Sequence, residues 1–278
     1  MIVVTGATGS VGQHLVRNLH SQQVDVVAAV RDQKRASLPA GVRSVAMDVG
    51  DLSSIERAVA GAEAVFWLWP SLSGSETAEV AEDIGRILGA SGARITYLSA
   101  EAAASEPTSS WAIMENAIEQ AVSKWTTLRC VGFAKNARMW IPQIQAGDRV
   151  RWPFGNATRS LIHEADIAES AAATLIDERH AGQRYTLTGP NALKQIDQVR
   201  IIGNAIGRSL YWDEEPEEDA RIRLTEEFED SGLAGYILES WRSFIDKPEP
   251  VTSSVRMLTG RDPRSFESWA LDHVDEFR

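Results

Sequence analysis

Residues Thr5-Gly6-Ala7-Thr8-Gly9-Ser10-Val11-Gly12 stand between an apolar run, Ile2-Val3-Val4, and a helix-like segment from Gln13 to His20. A strand that turns sharply into a helix leaves backbone N–H groups without intrahelical acceptors, and a diphosphate can take them up. In this spacing Gly6 permits the tight turn, Gly9 lets the backbone approach an anion, and Gly12 allows helix and strand to pack closely. Thr8, Ser10 and Val11 complete the candidate cradle. A glycine-rich turn with no ligand is the plain alternative. Strand, glycines and helix nevertheless follow one another in the order that dinucleotide binding requires.

A second group of chemistry-bearing residues follows the next apolar run, Val24–Val30: Arg31, then Lys34 and Arg35. A carboxylate at the end of that strand would bind the adenine ribose hydroxyls, whereas a planar guanidinium accommodates a 2′-phosphate. NADP(H) is therefore the expected cofactor, with the neighbouring Asp32 weakening that reading slightly. Asp48 and Val49 either cover the adenine edge or belong to a turn, Asp48-Val49-Gly50-Asp51.

These residues need a scaffold that brings strand ends together. Apolar runs at Ile2–Val4, Val24–Val30, Arg43–Met47, Ala64–Leu68, Arg94–Leu98 and Thr126–Val131 alternate with amphipathic segments at Val11–His20, Leu52–Val59, Thr77–Leu88 and Trp111–Val122. Such alternation predicts an α/β, Rossmann-like, doubly wound parallel sheet with helices on both faces. Ligands then lie beyond the carboxyl ends of the strands. Trp69, Ser99 and Cys130 are further positions to examine on that ground, and Leu68, Pro70, Val131 and Phe133 beside them are also candidate cofactor contacts.

After about residue 133 the alternation loosens. Asn136–Gln145 reads as helical, Arg149–Trp152 and Ser160–Ile162 as extended, and Asp166–Ile176 as a helix that Asp166 could cap. Arg184–Thr188 is a late strand, Lys194–Ile206 a helix, Ser209–Trp212 a strand, and two further helices follow. The expected organisation is a nucleotide-binding domain over residues 1–150. Residues 151–278 then carry late sheet strands intermixed with a smaller, mainly helical substrate lobe over the cofactor crevice.

Composition removes several classes. A net charge of −11 argues against a nucleic-acid partner. The single cysteine excludes an internal disulfide and a cysteine-based zinc cluster, and the histidines lack metal-ligand spacing, so no metal is expected. His163 is expected to serve structure, with proton donation as the alternative. No basic, apolar leader and no membrane-length apolar run occurs, which predicts a cytoplasmic protein off the membrane, monomeric or homodimeric. Aromatic side chains at Trp67, Trp69, Trp111, Phe133, Trp140, Trp152 and Phe154, together with Met139, could wall a flat apolar ligand. Alternatively Trp67 points into the sheet and Trp140 and Trp152 pack the smaller lobe.

The glycine motif, Ala29-Val30-Arg31, Asp48 with Ala58-Val59-Ala60-Gly61, and Ser160-Leu161-Ile162-His163-Glu164-Ala165-Asp166-Ile167-Ala168 resemble the NmrA-like group of atypical short-chain dehydrogenases/reductases. Glu115-Asn116-Ala117-Ile118-Glu119, Trp125–Arg129, Phe133 and Asn136, and Tyr185–Pro190 are similar to that group as well. Within that group the chain resembles the triphenylmethane reductase-like and NAD(P)H:quinone oxidoreductase-like branches. The resemblance implies NADPH in the cleft, with the nicotinamide near Ser99, Cys130 and Val131.

Short-chain dehydrogenases usually carry Tyr-x-x-x-Lys on the helix after the fifth strand, where Lys lowers the Tyr pKa and Tyr passes a proton to substrate. Here that helix offers Trp111-Ala112-Ile113-Met114-Glu115. Trp111, Ser99 and Glu115 are the candidate catalytic positions, yet none supplies that relay: Trp exchanges no proton, Glu is not cationic, and Ser99 lacks a base. Relatives often have His where Trp111 stands and Pro where Cys130 stands. The reading is thus an NADPH-dependent oxidoreductase passing hydride to a small, flat, conjugated or aromatic acceptor without the Tyr/Lys pair. The alternatives are a non-catalytic NADP(H)-sensing protein and a non-redox cyclase or isomerase on the same scaffold.

Overall fold

Short β-branched runs separated by amphipathic stretches set the order of elements in the first half. The computed structural model describes residues 1–71 and 73–278. It begins β1 (Ile2–Val4), α1 (Ser10–Ser21), β2 (Val26–Val30), β3 (Arg43–Ala46), α2 (Leu52–Val59) and β4 (Ala64–Leu68). Next come α3 (Gly74–Ala90), β5 (Arg94–Ala100), α4 (Ser110–Ala121), β6 (Trp125–Cys130), α5 (Ile141–Ala146), β7 (Arg149–Trp152) and β8 (Thr158–Arg159). The chain continues with α6 (Glu164–Ile176), β9 (Gln183–Leu187), β10 (Leu193–Lys194), α7 (Gln195–Ile206) and β11 (Tyr211–Glu214). It ends with α8 (Glu217–Phe228), α9 (Ser231–Asp246), α10 (Ser254–Thr259) and α11 (Phe266–Asp272).

Seven strands form one sheet in the order β3-β2-β1-β4-β5-β6-β9, and every pairing in it is parallel. The fold is the expected Rossmann-like doubly wound sheet, with its strand order reversing between β1 and β4. β1 lies in register between its neighbours, Val3 opposite Val27 on one side and Val65 on the other. Parallel strands covered on both faces read as nearly unbroken apolar runs, which is why β1, β2 and β4 were legible. On one face Val3, Val27, Trp67, Ile95 and Tyr97 pack with Ile55 of α2, Ile84 and Leu88 of α3, and Met114 and Ile118 of α4. Successive residues point to opposite faces, so Thr96 turns the other way and shares a 3.0 Å hydroxyl hydrogen bond with Thr174 of α6. Helices α1 and α6 pack together.

Contacts divide the chain into two units. One comprises Met1–Cys130, Glu164–Leu187 and Ser253–Asp262 and contains the whole seven-stranded sheet. The other comprises Val131–His163, Thr188–Thr252 and Pro263–Arg278. Where the sequence reading drew one line at residue 150, the chain leaves the sheet unit after Cys130 and re-enters it at Glu164. The return is required because β9 pairs alongside β6, Leu128 opposite Tyr185.

The second unit holds two small ladders, β7 parallel to β11 and β8 antiparallel to β10. Its core gathers Trp140, Ile144, Val150, Trp152, Val199, Ile202, Trp269 and Phe277. A further cluster joins Phe154 to Ala220 and Leu224 of α8 and Ala234 and Leu238 of α9. Trp140 and Trp152 therefore fill this unit's core, and Trp67, fully buried, fills the sheet's.

Several sequence expectations need correction in this half. Asp166 is not the residue before α6: the helix already starts at Glu164, and Asp166 is buried in its first turn, where a carboxylate suits the N-terminal dipole. The extended stretch expected at Ser160–Ile162 falls earlier, since Thr158–Arg159 is the ladder strand and Ile162 makes a lone bridge to Phe133. The strand expected at Ser209–Trp212 shifts to Tyr211–Glu214, in register with β7 from Arg149 to Trp152. Instead of two helices after it, the chain forms α8, α9 and the short α10 and α11.

Candidate functional site

The turn between β1 and α1 is held from beneath by Thr5. Its backbone N–H and its hydroxyl both donate to the Phe66 carbonyl at 3.0 Å, and its hydroxyl accepts the Leu68 N–H at 2.9 Å. Gly6 has φ +60°, and a Cβ there would lie 2.7 Å from Leu68 Cδ2. A Cβ on Gly12 would lie 2.1 Å from the Gly6 carbonyl oxygen, so the first turn of α1 rests directly on loop backbone. The Gly9 N–H donates to the Gly6 carbonyl at 2.9 Å, which tightens the turn. Thr8 and Gly9 are exposed above it, Ser10 is half-buried, and Val11 and Gly12 are buried beneath.

The residue before α1 is Gly9, and among the described residues no side chain caps this helix and no carboxylate lies in its first turn. A helix start with no side-chain cap at Gly9 and no carboxylate in its first turn, over a turn that admits no Cβ, fits a dinucleotide diphosphate.

Beyond β2 the turn Asp32–Arg35 carries the basic cluster. Arg31, Lys34 and Arg35 are all exposed. Asp32 Oδ1 accepts the Lys34 N–H at 2.9 Å, and Asp32 Oδ2 lies 3.5 Å from Arg35 Nε. Among the described residues, neither the Arg31 guanidinium nor the Lys34 ammonium makes a hydrogen bond or ion pair with the protein. Asp48 is exposed and adopts the turn geometry weighed from the sequence. Its Oδ1 accepts the Gly50 N–H at 2.9 Å and its carbonyl accepts the Asp51 N–H at 3.0 Å, with Val49 half-buried between.

At the carboxyl ends of β5 and β6 the structure joins Ser99 and Glu115 and adds a residue that sequence reasoning missed, Arg129. The Ser99 hydroxyl donates to Glu115 Oε1. Arg129 donates to the same carboxylate from Nε at 3.0 Å and from Nη2 at 2.6 Å. Ser99 and Glu115 are buried, and the Arg129 side chain keeps only 19% of its exposure. Hydrogen bonding to Glu115 raises the Arg129 pKa further above its usual value, outweighing desolvation. Ser99 is thus occupied by Glu115, and Glu115 by Arg129. Two clues to this pairing were present: a glutamate within the apolar Trp111–Ile118 helix, and an arginine closing an apolar strand. A buried charge needs a partner.

Trp111 sits one turn before Glu115 on α4, half-buried. Leu68 packs under Gly6, Trp69 is anchored by its indole N–H to the Thr77 hydroxyl at 2.8 Å, and Pro70 is exposed. Cys130 is buried, and desolvation pushes its thiol pKa far above the usual range, against a reactive thiolate. Val131, buried, and Phe133, half-buried, belong to the second unit. So does His163, also buried, whose Nε2 lies 3.3 Å from Asp272 Oδ2. Among the described residues no group of His, Cys, Asp and Glu is arranged to hold a metal, and no helix is long and apolar enough to cross a membrane.

A doubly wound parallel sheet with a glycine turn between its first strand and first helix defines a fold of the Rossmann type. Residues 6–178 match the NAD(P)H-binding family, and the chain belongs to it. Over 283 residues it is 28% identical to (4-alkanoyl-5-oxo-2,5-dihydrofuran-3-yl)methyl phosphate reductase of Streptomyces griseus, covering 100% of this chain and 99% of that one. It is 26% identical over 287 residues to NAD(P)H azoreductase of Xenophilus azovorans, with 100% and 99% coverage.

Among solved structures, NADPH-dependent quinone oxidoreductase of Escherichia coli, complexed with NADPH, superposes with a TM-score of 0.83. That pair is 22% identical and covers 99% of this chain and 100% of the other. Triphenylmethane reductase of Citrobacter sp., complexed with NADP(H), gives 0.84 at 18% identity, with 99% and 100% coverage. These neighbours agree with the NmrA-like resemblance, and the chain is an NAD(P)H-dependent oxidoreductase.

Proposed function

We propose that this oxidoreductase uses NADPH to reduce a small, flat, conjugated acceptor of the quinone, dye or polyketide type. The observation that carries this reading is the Ser99–Glu115–Arg129 network: Trp111 and Glu115 occupy the helix positions expected of a Tyr/Lys pair, and the Glu115 carboxylate is engaged by Arg129 and the Ser99 hydroxyl. An acceptor served by such a site takes hydride at an electron-poor carbon or nitrogen, spreads the charge through conjugation, and collects its proton from water. The relatives reduce a quinone, azo compounds and triphenylmethane dyes, which supports that class.

In this reading the backbone from Gly6 to Gly12 binds the diphosphate, with Thr8, Gly9, Ser10 and Val11 around it. Arg31, Lys34 and Arg35 bind the 2′-phosphate, and Asp48 and Val49 border the adenine. Leu68, Trp69, Pro70, Ser99, Cys130, Val131 and Phe133 orient the nicotinamide half. Trp111 offers a flat wall for the acceptor, so orientation rather than acid catalysis supplies the acceleration. NADPH, when bound, supplies the hydride.

The test is oxidation of NADPH and NADH at the nicotinamide absorbance band with a panel of quinones, azo dyes and triphenylmethane dyes. Turnover of at least one conjugated acceptor, faster with NADPH, is expected, with simple aliphatic ketones inert. Turnover confined to aliphatic ketones, or none with any acceptor despite tight coenzyme binding, would contradict the reading.

A further inference from the structure

Asp32 is the one acidic residue within the basic segment Arg31–Arg35, and a carboxylate there is ordinarily counted against a phosphate site. Its geometry points elsewhere. Oδ1 accepts the Lys34 N–H at 2.9 Å, the Asp32 carbonyl accepts the Arg35 N–H at 3.3 Å, and Oδ2 faces Arg35 Nε at 3.5 Å. The side chain thereby closes a local turn of the kind that aspartate and asparagine form equally well. Gln33 fixes the same turn to the adjacent strand: its Nε2 donates to the Ser44 carbonyl at 2.8 Å and to the Ser44 hydroxyl at 3.1 Å. The segment is therefore tied by Asp32 to itself and by Gln33 to β3.

We infer that Asp32 is a positioning residue for coenzyme selectivity: it folds the turn that presents Arg31, Lys34 and Arg35 to a 2′-phosphate and does not itself read ribose hydroxyls. This rests on the proposed preference for NADPH. Two opposing effects meet at this side chain. Its negative charge repels a phosphate, but it is half exposed, screened by solvent and faced by Arg35. Its turn holds the basic side chains in place before the ligand arrives, which removes ordering cost from binding. The second effect outweighs the first.

The two effects separate because asparagine keeps the turn and loses the charge, whereas alanine loses both. Asp32→Asn and Asp32→Ala are titrated with NADPH and NADH by quenching of tryptophan fluorescence, alongside the unaltered protein and Arg31→Ala. Expected are NADPH affinity in Asp32→Asn equal to or up to about threefold tighter than in the unaltered protein, and a loss of about fivefold in Asp32→Ala. NADH affinity should stay within about twofold in both variants, so that selectivity falls in the alanine variant and is restored by asparagine. Equal tightening of NADPH by both variants would overturn the inference, leaving Asp32 as a repulsive charge only. A selective loss of NADH would also overturn it, by making Asp32 a ribose ligand. If the unaltered protein shows no preference for NADPH, or Arg31→Ala leaves the preference intact, the phosphate site fails and the role of Asp32 fails with it. A normal preference in the unaltered protein, lost in Arg31→Ala but unchanged in Asp32→Ala, overturns the role of Asp32 alone.

Discussion

Two polar regions of the sheet unit hold their charges in opposite ways. At the end of β2, Arg31 and Lys34 stand exposed, and among the described residues their charged groups meet no partner. At the ends of β5 and β6, Ser99, Glu115 and Arg129 close on one another, and Glu115 is buried. A hydrated surface charge costs little to leave unpaired and stays available to a ligand. A buried carboxylate must be matched by its own fold, because leaving it unpaired is far more expensive than the pair is worth. In this chain charge thus divides into exposed groups open to solvent and buried groups matched by the fold, and sequence position alone does not say which is which. Glu115 is a candidate catalytic position by its spacing in the sequence, yet its oxygens are taken up by Arg129 and Ser99.

The sharpest break in that contrast is Glu115→Ala. It leaves Arg129 without its carboxylate and should destabilise the protein by about 3 kcal/mol in urea unfolding. Replacing both partners by methionine should recover most of that loss, since no charge is then stranded. A single variant as stable as the parent would show that the pair is not structural.

Next in size is Gly12→Ala. Its added methyl would sit 2.1 Å from the Gly6 carbonyl oxygen, so the turn must shift. NADPH and NADH binding should both weaken by about tenfold or more, measured by titration at matched thermal stability. Unchanged affinity for both coenzymes would mean that this turn is not where they bind.

A third test, which alters no residue, concerns Cys130, whose burial raises its thiol pKa. The native thiol should react with a disulfide reagent at pH 8 at least about a hundredfold more slowly than the urea-unfolded chain. Because the folded pKa lies above the unfolded value of about 8.5, the stability linked to this thiol is complete below that pH and is lost as pH rises beyond it. Rapid native reaction would reopen a chemical role for Cys130.

The elements around the first region were legible because their signals are local. β1, β4 and α2 fall on Ile2–Val4, Ala64–Leu68 and Leu52–Val59 as expected, each an apolar or amphipathic run between turn residues. The glycine turn was equally legible, since backbone geometry at Gly6 and Gly12 excludes side chains whatever surrounds them. Where partners come from distant sequence, the signal was lost. Arg129 meets Glu115 only through the pairing of β6 with β5 and the packing of α4. The two-residue ladder of Thr158–Arg159 with Leu193–Lys194 is too short to show a period. Asp32 was visible as a charge, but not as the acceptor that closes its own turn.

The most direct measurement is the affinity of the unaltered protein and of Arg31→Ala for NADPH and NADH, by calorimetric titration at one ionic strength. Arg31→Ala is expected to cost NADPH about tenfold or more while NADH changes by less than about twofold. Equal weakening of both coenzymes, or no weakening of either, would contradict the assignment of the exposed basic turn to the 2′-phosphate.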